Sequence, residues 1–181
     1  MNKRTVVIIG NGVEETELVV PVDMLRRAGT DVKILSIDDK IVIGSNNISV
    51  VADGLLRDYR YDKPDCILLP GGPWALKARH NQDVLGLVKD QYDNKLVVAA
   101  ICAAPLILND AGVLDGHEYT SHFSVKLECS DVTRPVILDG NIITARGPGA
   151  AIEFGIAIIT KLYGQTTTFG IANAMCIPMT K

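Results

Sequence analysis

The sequence predicts an α/β fold, with a mostly parallel sheet held between two helical layers, on three observations. Short runs rich in β-branched residues recur along the chain, helical patterns separate them, and several of the runs are apolar at every position, as strands buried on both faces are. A chain of 181 residues is long enough for one domain with a substantial core, and the expectation is a single domain over residues 1–181.

The first run, TVVIIG (5–10), reads as a buried strand. A helix follows it: Glu14, Glu15 and Glu17 put negative charge on its first turns, Arg26 and Arg27 put positive charge on its last, and Gly29 lies past its end. DVKILSI (31–37) is the next strand, and the polar stretch after it, through IVIGSNNISVVADG, reads as a hairpin of two weaker strands. DCILLPGG (65–72) is a buried strand ending on a diglycine. Residues 81–92 have helical character, KLVVAAI (95–101) is the most apolar strand, and Ala103–Leu108 continues into a helix that stops at NDAG. YTS, before His122, is a short possible strand. RPVILDGNIITARGPG holds two strands about a D-G-N turn, and PGAAIEFGIAIITKLYG (148–164) is a helix with Pro148 near its start and Gly164 beyond its end. QTTTFGIANAM closes the chain as a weaker helix.

Composition excludes several function classes. The formal charge is −3 with Lys and Arg scattered, so there is no basic face for a phosphate backbone, and nucleic acid is not an expected partner. No apolar run approaches the roughly 20 residues of a membrane span, and the run after MNKR is too short for a signal-peptide core, which makes the cytoplasm the expected compartment. The four cysteines, Cys66, Cys102, Cys129 and Cys176, lie far apart with no C-x-x-C pair and no nearby His, so they are expected as reduced thiols with no metal site.

In such a fold ligands gather beyond the carboxyl ends of the strands, here Gly10–Gly12, Pro70–Gly72 and Ile101–Cys102. Cysteine is often inert packing. Cys102, however, stands where a strand runs straight into a helix, the layout of a nucleophile elbow, with small neighbours Ala103 and Ala104, Pro105 in the first helical turn, and a helix start that stabilises a thiolate. Gly71 and Gly72 either make a tight turn or let backbone N–H groups point into an anion-holding concavity, with the Ala103 amide as a second donor. Glu17 shares a helix face with Val20, Pro21, Met24 and Ala28 and so points at the core, where a desolvated carboxylate takes up a proton; the alternative is a frayed start with Glu17 in water. Glu14 and Glu15 are expected as solvated charges. His122 is either an exposed loop residue or a proton carrier. His80 and His117 are expected at the surface, Cys66 in the core, and Cys129 and Cys176 as incidental.

Together, GVEETELVVPVDMLRRAG (12–29), LLPGG (68–72), AAICAAP (99–105), TSH (120–122) and RGPG…EF (146–154) resemble the ThiJ/PfpI superfamily, and within it the parkinsonism-associated deglycase (Parkinson disease protein 7-like) branch, over almost the whole chain. The resemblance implies a flavodoxin-like sandwich, usually a homodimer, with no cofactor. It puts the nucleophile on Cys102, a largely protonated acid partner on Glu17, the histidine on His122, and anion-holding amides on Gly72 and Ala103. Three departures stand out: Asn46 where relatives often carry Arg, Phe123 where a proline commonly follows the His, and Ala103 where protease-like members have His after the nucleophile. The last weakens a cysteine-peptidase reading. Two expectations follow. One is a cofactor-independent enzyme acting on reactive dicarbonyls such as methylglyoxal, or on glycated protein adducts. The other is an oxidative-stress sensor or redox-regulated chaperone in which Cys102 is oxidised.

Overall fold

The apolar runs are strands, and the packing that surrounds them leaves their side chains almost no water. The protein, seen in a computed structural model that describes residues 2–60 and 63–178, begins with β1 (Arg4–Ile9), in which Val6 through Ile9 are at most 2% exposed. Then come α1 (Glu15–Arg27), β2 (Asp31–Ser36), the short strands β3 (Ile41–Ile43), β4 (Ser49–Val51) and β5 (Gly54–Leu55), and β6 (Cys66–Leu69). After these lie α2 (Ala75–Ala78), α3 (Gln82–Asp93), β7 (Val97–Ile101), α4 (Pro105–Asp110), β8 (Val136–Asp139), β9 (Ile142–Ala145), α5 (Ala151–Tyr163) and α6 (Gln165–Ala174).

Seven strands form one sheet in the order β5-β2-β1-β6-β7-β9-β8, parallel throughout except for the β8–β9 hairpin. β3 and β4 make a separate antiparallel hairpin, with Ile41 opposite Val51. Helix α5 packs on β7, β8 and β9 and against α1 and α6, while α3 packs on β6, β7 and α4, giving a flavodoxin-like arrangement of helices on both faces of the sheet. The chain leaves β1 for β2 on one side and returns to β6 on the other. The crevice between the ends of β1 and β6 is therefore the topological switch point, and β7 lies next to β6.

The expected strands and helices recur, with local differences. The helix after Cys102 starts only at Pro105, because Cys102 sits at φ +65° and the next residues are still turning. Residues 119–121 are not a strand: the Thr120 amide donates to Thr144 Oγ1 at 2.9 Å instead of joining a ladder. The helix at 148–164 opens as a 3-10 turn, Pro148–Ala150, before α5. β5 and α2 were not anticipated, since two and four residues carry no readable periodicity.

α1 and α5 approach closely because Gly155 has no side chain: a Cβ there would lie 2.5 Å from Met24 Sδ. Gly155→Val should therefore overpack this contact and cost about 1–3 kcal/mol. In a chain of this size that lowers Tm by about 2–12 °C. Thermal unfolding followed by circular dichroism checks it, and a Tm at or above that of the unsubstituted chain would contradict the packing described.

Candidate active site

Three loops meet at the carboxyl end of the sheet, and hydrogen bonds between them set the site. The loop after β1 is tied to the loop after β6, the Glu14 amide donating to the Gly71 carbonyl at 3.0 Å. It is also tied to the hairpin, the Gly12 amide donating to the Ile43 carbonyl at 2.7 Å. Gly72, at φ +97°, admits no side chain: a Cβ would fall 2.3 Å from the Gly12 carbonyl oxygen and 2.6 Å from the Glu14 nitrogen. Only glycine lets the two loops touch.

Cys102 follows β7 directly, in the left-handed region at φ +65°, a conformation that costs a non-glycine residue about 1–3 kcal/mol. The chain turns there, and the side chain lies in a half-buried corner. Glu17, in the first turn of α1, is fully buried in the same corner. Gly71 records how close they are: a Cβ on it would lie 2.6 Å from both Cys102 Cβ and Glu17 Oε2. The Gly71 amide donates to Glu17 Oε2 at 2.8 Å. Glu17 Oε1 is buried with no nitrogen or oxygen donor to serve it, and the remaining interaction of the carboxyl is with the Cys102 thiol. A buried carboxyl oxygen without a donor is the natural seat of a proton.

The electrostatics follow from that geometry. Burial pushes Glu17 up to about 7; the hydrogen bonds from Cys102 and the Gly71 amide pull it partly back, and the nearby Glu14 charge adds to the rise. Burial, then the charge of Glu17 and its hydrogen bond, pushes Cys102 up to about 12, against the pull of the Gly72 and Ala103 amides directed at the sulfur. The pair thus holds one proton between those two values. The rise at Cys102 is opposite to the thiolate stabilisation expected from a helix start. α4 is only six residues long, and desolvation outweighs it.

The structure brings Cys102, Glu17, Gly72 and Ala103 together. The Gly71 amide, expected to hold a substrate anion, instead holds the Glu17 carboxyl. His122 reaches the site through its backbone, its amide donating to the Cys102 carbonyl at 2.9 Å, while its Nδ1 pairs with Ser124 Oγ at 2.7 Å. Phe123 is 79% exposed, with its ring 4.2 Å from that of His122. Cys102, Ala103, Gly72 and His122 share a cleft of about 490 Å³ with Leu76, Leu106 and Val125.

Other expectations need correcting. Glu15 is not solvated. Burial favours its neutral form, but hydrogen bonds from the Asn46 side chain and amide and from the Ile48 amide outweigh this and lower it to about 2. Asn46 therefore anchors the hairpin turn to α1. Glu14 caps α1, its Oε2 accepting from the Glu17 amide at 2.7 Å. His117 is not simply at the surface: Nδ1 meets Asp139 Oδ2 at 3.0 Å and Nε2 meets the Tyr92 hydroxyl at 2.9 Å. These partners lie some 20 to 30 residues away in sequence, so no local signal announces them. Cys66 is buried, while Cys129 and Cys176 are exposed; all four cysteines are free. Among the described residues no cluster of His, Cys, Asp and Glu could hold a metal, and no helix is long and apolar enough to cross a membrane.

A model of the DJ-1/PfpI family matches residues 3–161. The chain is 34% identical to Protein dj-1beta of Drosophila melanogaster over 98% of both chains. The crystal structure of that protein superposes with a TM-score of 0.93, covering 99% of this chain and 100% of the other. The chain is also 29% identical to the glutathione-independent glyoxalase DJR-1.2 of Caenorhabditis elegans, over 91% of this chain and 90% of that one. To deglycase PfpI of Pyrococcus furiosus it is 31% identical, over 77% and 87%.

The raised Glu17 makes a stability prediction with a definite sign. Its pKa in the folded state lies above the ordinary 4.5, so the folded chain binds the extra proton, and stability is lost as pH rises from about 4.5 through about 7. Glu17→Gln removes that dependence. The variant should gain on the unsubstituted chain by roughly 3 kcal/mol between pH 4.5 and 8 in urea unfolding. A pH-independent difference would contradict the buried, proton-holding carboxyl.

Proposed function

The chain belongs to the DJ-1/PfpI family, and on that footing we propose that it is a cofactor-independent cysteine enzyme of one domain, working in the cytoplasm on reactive dicarbonyls such as methylglyoxal or on early glycation adducts of proteins. The observation that carries this reading is the meeting of the Glu17 carboxyl and the Cys102 thiol in one buried corner, with the Gly72 and Ala103 amides on the sulfur. The names of the worm glyoxalase and the archaeal deglycase support the same reaction class.

The steps use the single proton of the pair. With that proton on Glu17, the Cys102 thiolate adds to the aldehyde carbon. An S–C bond forms, the carbonyl π bond breaks, and the developing oxyanion lies beside the sulfur, where the Gly72 and Ala103 amides point. Glu17 gives its proton to that oxygen and, now a carboxylate, removes the hydrogen from the same carbon, forming an enediolate with its charge on the former ketone oxygen. It then returns this proton to the neighbouring carbon while the hydroxyl proton passes to the former ketone oxygen, yielding the thioester of a 2-hydroxy acid. The aldehyde carbon is oxidised and the ketone carbon reduced, so no external oxidant is needed. Water cleaves the thioester, releasing lactate and the thiol. His122, which lines the same cleft, assists the proton transfers between the two carbons.

A second reading, an oxidative-stress sensor with redox-regulated chaperone output, draws on the same neutral carboxyl: a Glu17 that keeps its proton near pH 7 can donate to a sulfinate on Cys102 and slow its further oxidation. A peptidase reading lacks support, since Ala103, not a histidine, follows the thiol. A homodimer is the proposed assembly. Ile41 and Val51, paired across the hairpin, are 60% and 64% exposed, and the neighbouring Ile43 and Ile48 are also bare.

Purified protein should convert methylglyoxal without glutathione, with kcat/KM rising as pH passes through about 7. Cys102→Ala should abolish turnover, and Glu17→Gln should lower it by about 10²–10⁴-fold. Activity that survives both substitutions removes the assignment. Light scattering should give twice the 19.5 kDa of one chain, and a single-chain mass would sink the dimer.

A further inference from the structure

The cleft next to Cys102 is larger and more apolar than the smallest dicarbonyls require. Its volume is about 490 Å³, whereas methylglyoxal fills at most about 150 Å³ when each non-hydrogen atom is allowed a water's share of volume. Away from the thiol, much of the wall is hydrocarbon: Leu76 on α2, Leu106 on α4, and Val125 in the loop after His122. Leu76 is 56% exposed, a large apolar side chain left bare beside a reactive group.

The charges at the cleft point the same way. Arg79 lines it, but its guanidinium is held by Asp110 in a two-pronged ion pair, Nε to Oδ2 at 2.6 Å and Nη2 to Oδ1 at 3.0 Å. Asp110 is correspondingly held below the usual carboxylate range by that same pair. Arg79 therefore offers no uncompensated charge to a ligand. Lys126, the other cation of the lining, is exposed to solvent, where water screens it. A substrate arm reaching past the thiol meets carbon first.

We propose that this cleft selects 2-oxoaldehydes bearing a bulky apolar arm, aryl or branched alkyl, which is received by Leu76, Leu106 and Val125 while the aldehyde carbon lies at Cys102. The inference rests on the dicarbonyl reading above and narrows it to a substrate class. For an aryl member such as phenylglyoxal, the conversion takes up one water, oxidises the aldehyde carbon, reduces the ketone carbon and releases mandelate and a proton. Bringing the arm out of water favours these substrates over methylglyoxal, because one methylene in an apolar pocket already discriminates by about tenfold or more.

The experiment has two arms. In the first, kcat/KM is measured for phenylglyoxal, methylglyoxal and 4,5-dioxovalerate, whose arm ends in a carboxylate. Phenylglyoxal should exceed methylglyoxal by about tenfold or more. Leu76→Ser and Val125→Ser should each reduce that ratio several-fold, while Leu76→Met keeps it. Because Leu76 is largely exposed, its truncation leaves the core intact. A ratio unmoved by Leu76→Ser, or a preference for 4,5-dioxovalerate, overturns the proposal. The second arm needs no turnover: mandelate and lactate are compared as protectants of Cys102 against alkylation by iodoacetamide, read by mass spectrometry. Mandelate should protect at about tenfold lower concentration, and less so in Leu76→Ser. If no dicarbonyl is consumed but mandelate still protects, the dicarbonyl reading fails and the apolar subsite stands. Equal protection by the two acids overturns the subsite itself.

Discussion

A carboxyl group shut away from water shares a few ångströms with a thiol, and much of the surrounding backbone is shaped to let them meet. Gly71 must lack a side chain because Cys102 and Glu17 already occupy the space its Cβ would take. Gly72 must lack one because the loop after β1, which leads into the helix carrying Glu17, presses against it. Cys102 itself is held at a positive φ, and the strain is sustained by the strand before it, β7, which is buried along its length and paired on both edges. Removing the carboxyl from water costs more than its hydrogen bonds return, so it keeps a proton near neutrality.

Three carboxylates within four residues of α1 show how completely surroundings decide such chemistry. Glu14 caps the helix, Glu15 is gripped by the hairpin turn and lowered to about 2, and Glu17 is desolvated and raised to about 7. All three are the same functional group. What differs is the number of N–H donors that reach each one: donors stabilise the charge at Glu15, while burial with too few of them destabilises it at Glu17. The Glu15 grip also ties the hairpin turn to α1, so the exposed isoleucines of the hairpin and the buried acid of the site are held by the same helix start.

Two sets of groups meet at the thiol. Groups that touch the sulfur come from the ends of β6 and β7 and the start of α1, regions closely tied by backbone hydrogen bonds. Groups that line the outer cleft come from α2, α4 and the segment after His122, and of these Leu76 is largely exposed while Leu106 is buried.

The order of strands and helices was legible in the sequence because each element carries its own period: Val6 to Ile9 and Val97 to Ile101 are apolar without interruption, and α1 is charged with the correct sign at each end. Cys102 was legible as an elbow and Glu17 as a core-facing acid for the same reason, since both follow from position within one element. The partnership of Glu15 with Asn46, the involvement of His117 with Tyr92 and Asp139, the occupation of the Gly71 amide by Glu17, and the apolar wall of the cleft were not legible. Each joins residues far apart in the chain, and local pattern holds no record of distance in space. The upward shift at Cys102 is hidden from the sequence for a related reason: a helix start is a local feature, whereas desolvation depends on everything packed around the sulfur. The sequence by itself determined which elements form and which side chains face inward, because periodicity and charge act over a few residues. Tertiary structure alone decided which atoms touch and which are deprived of water, because those depend on the packing of strands and helices brought together from the whole chain.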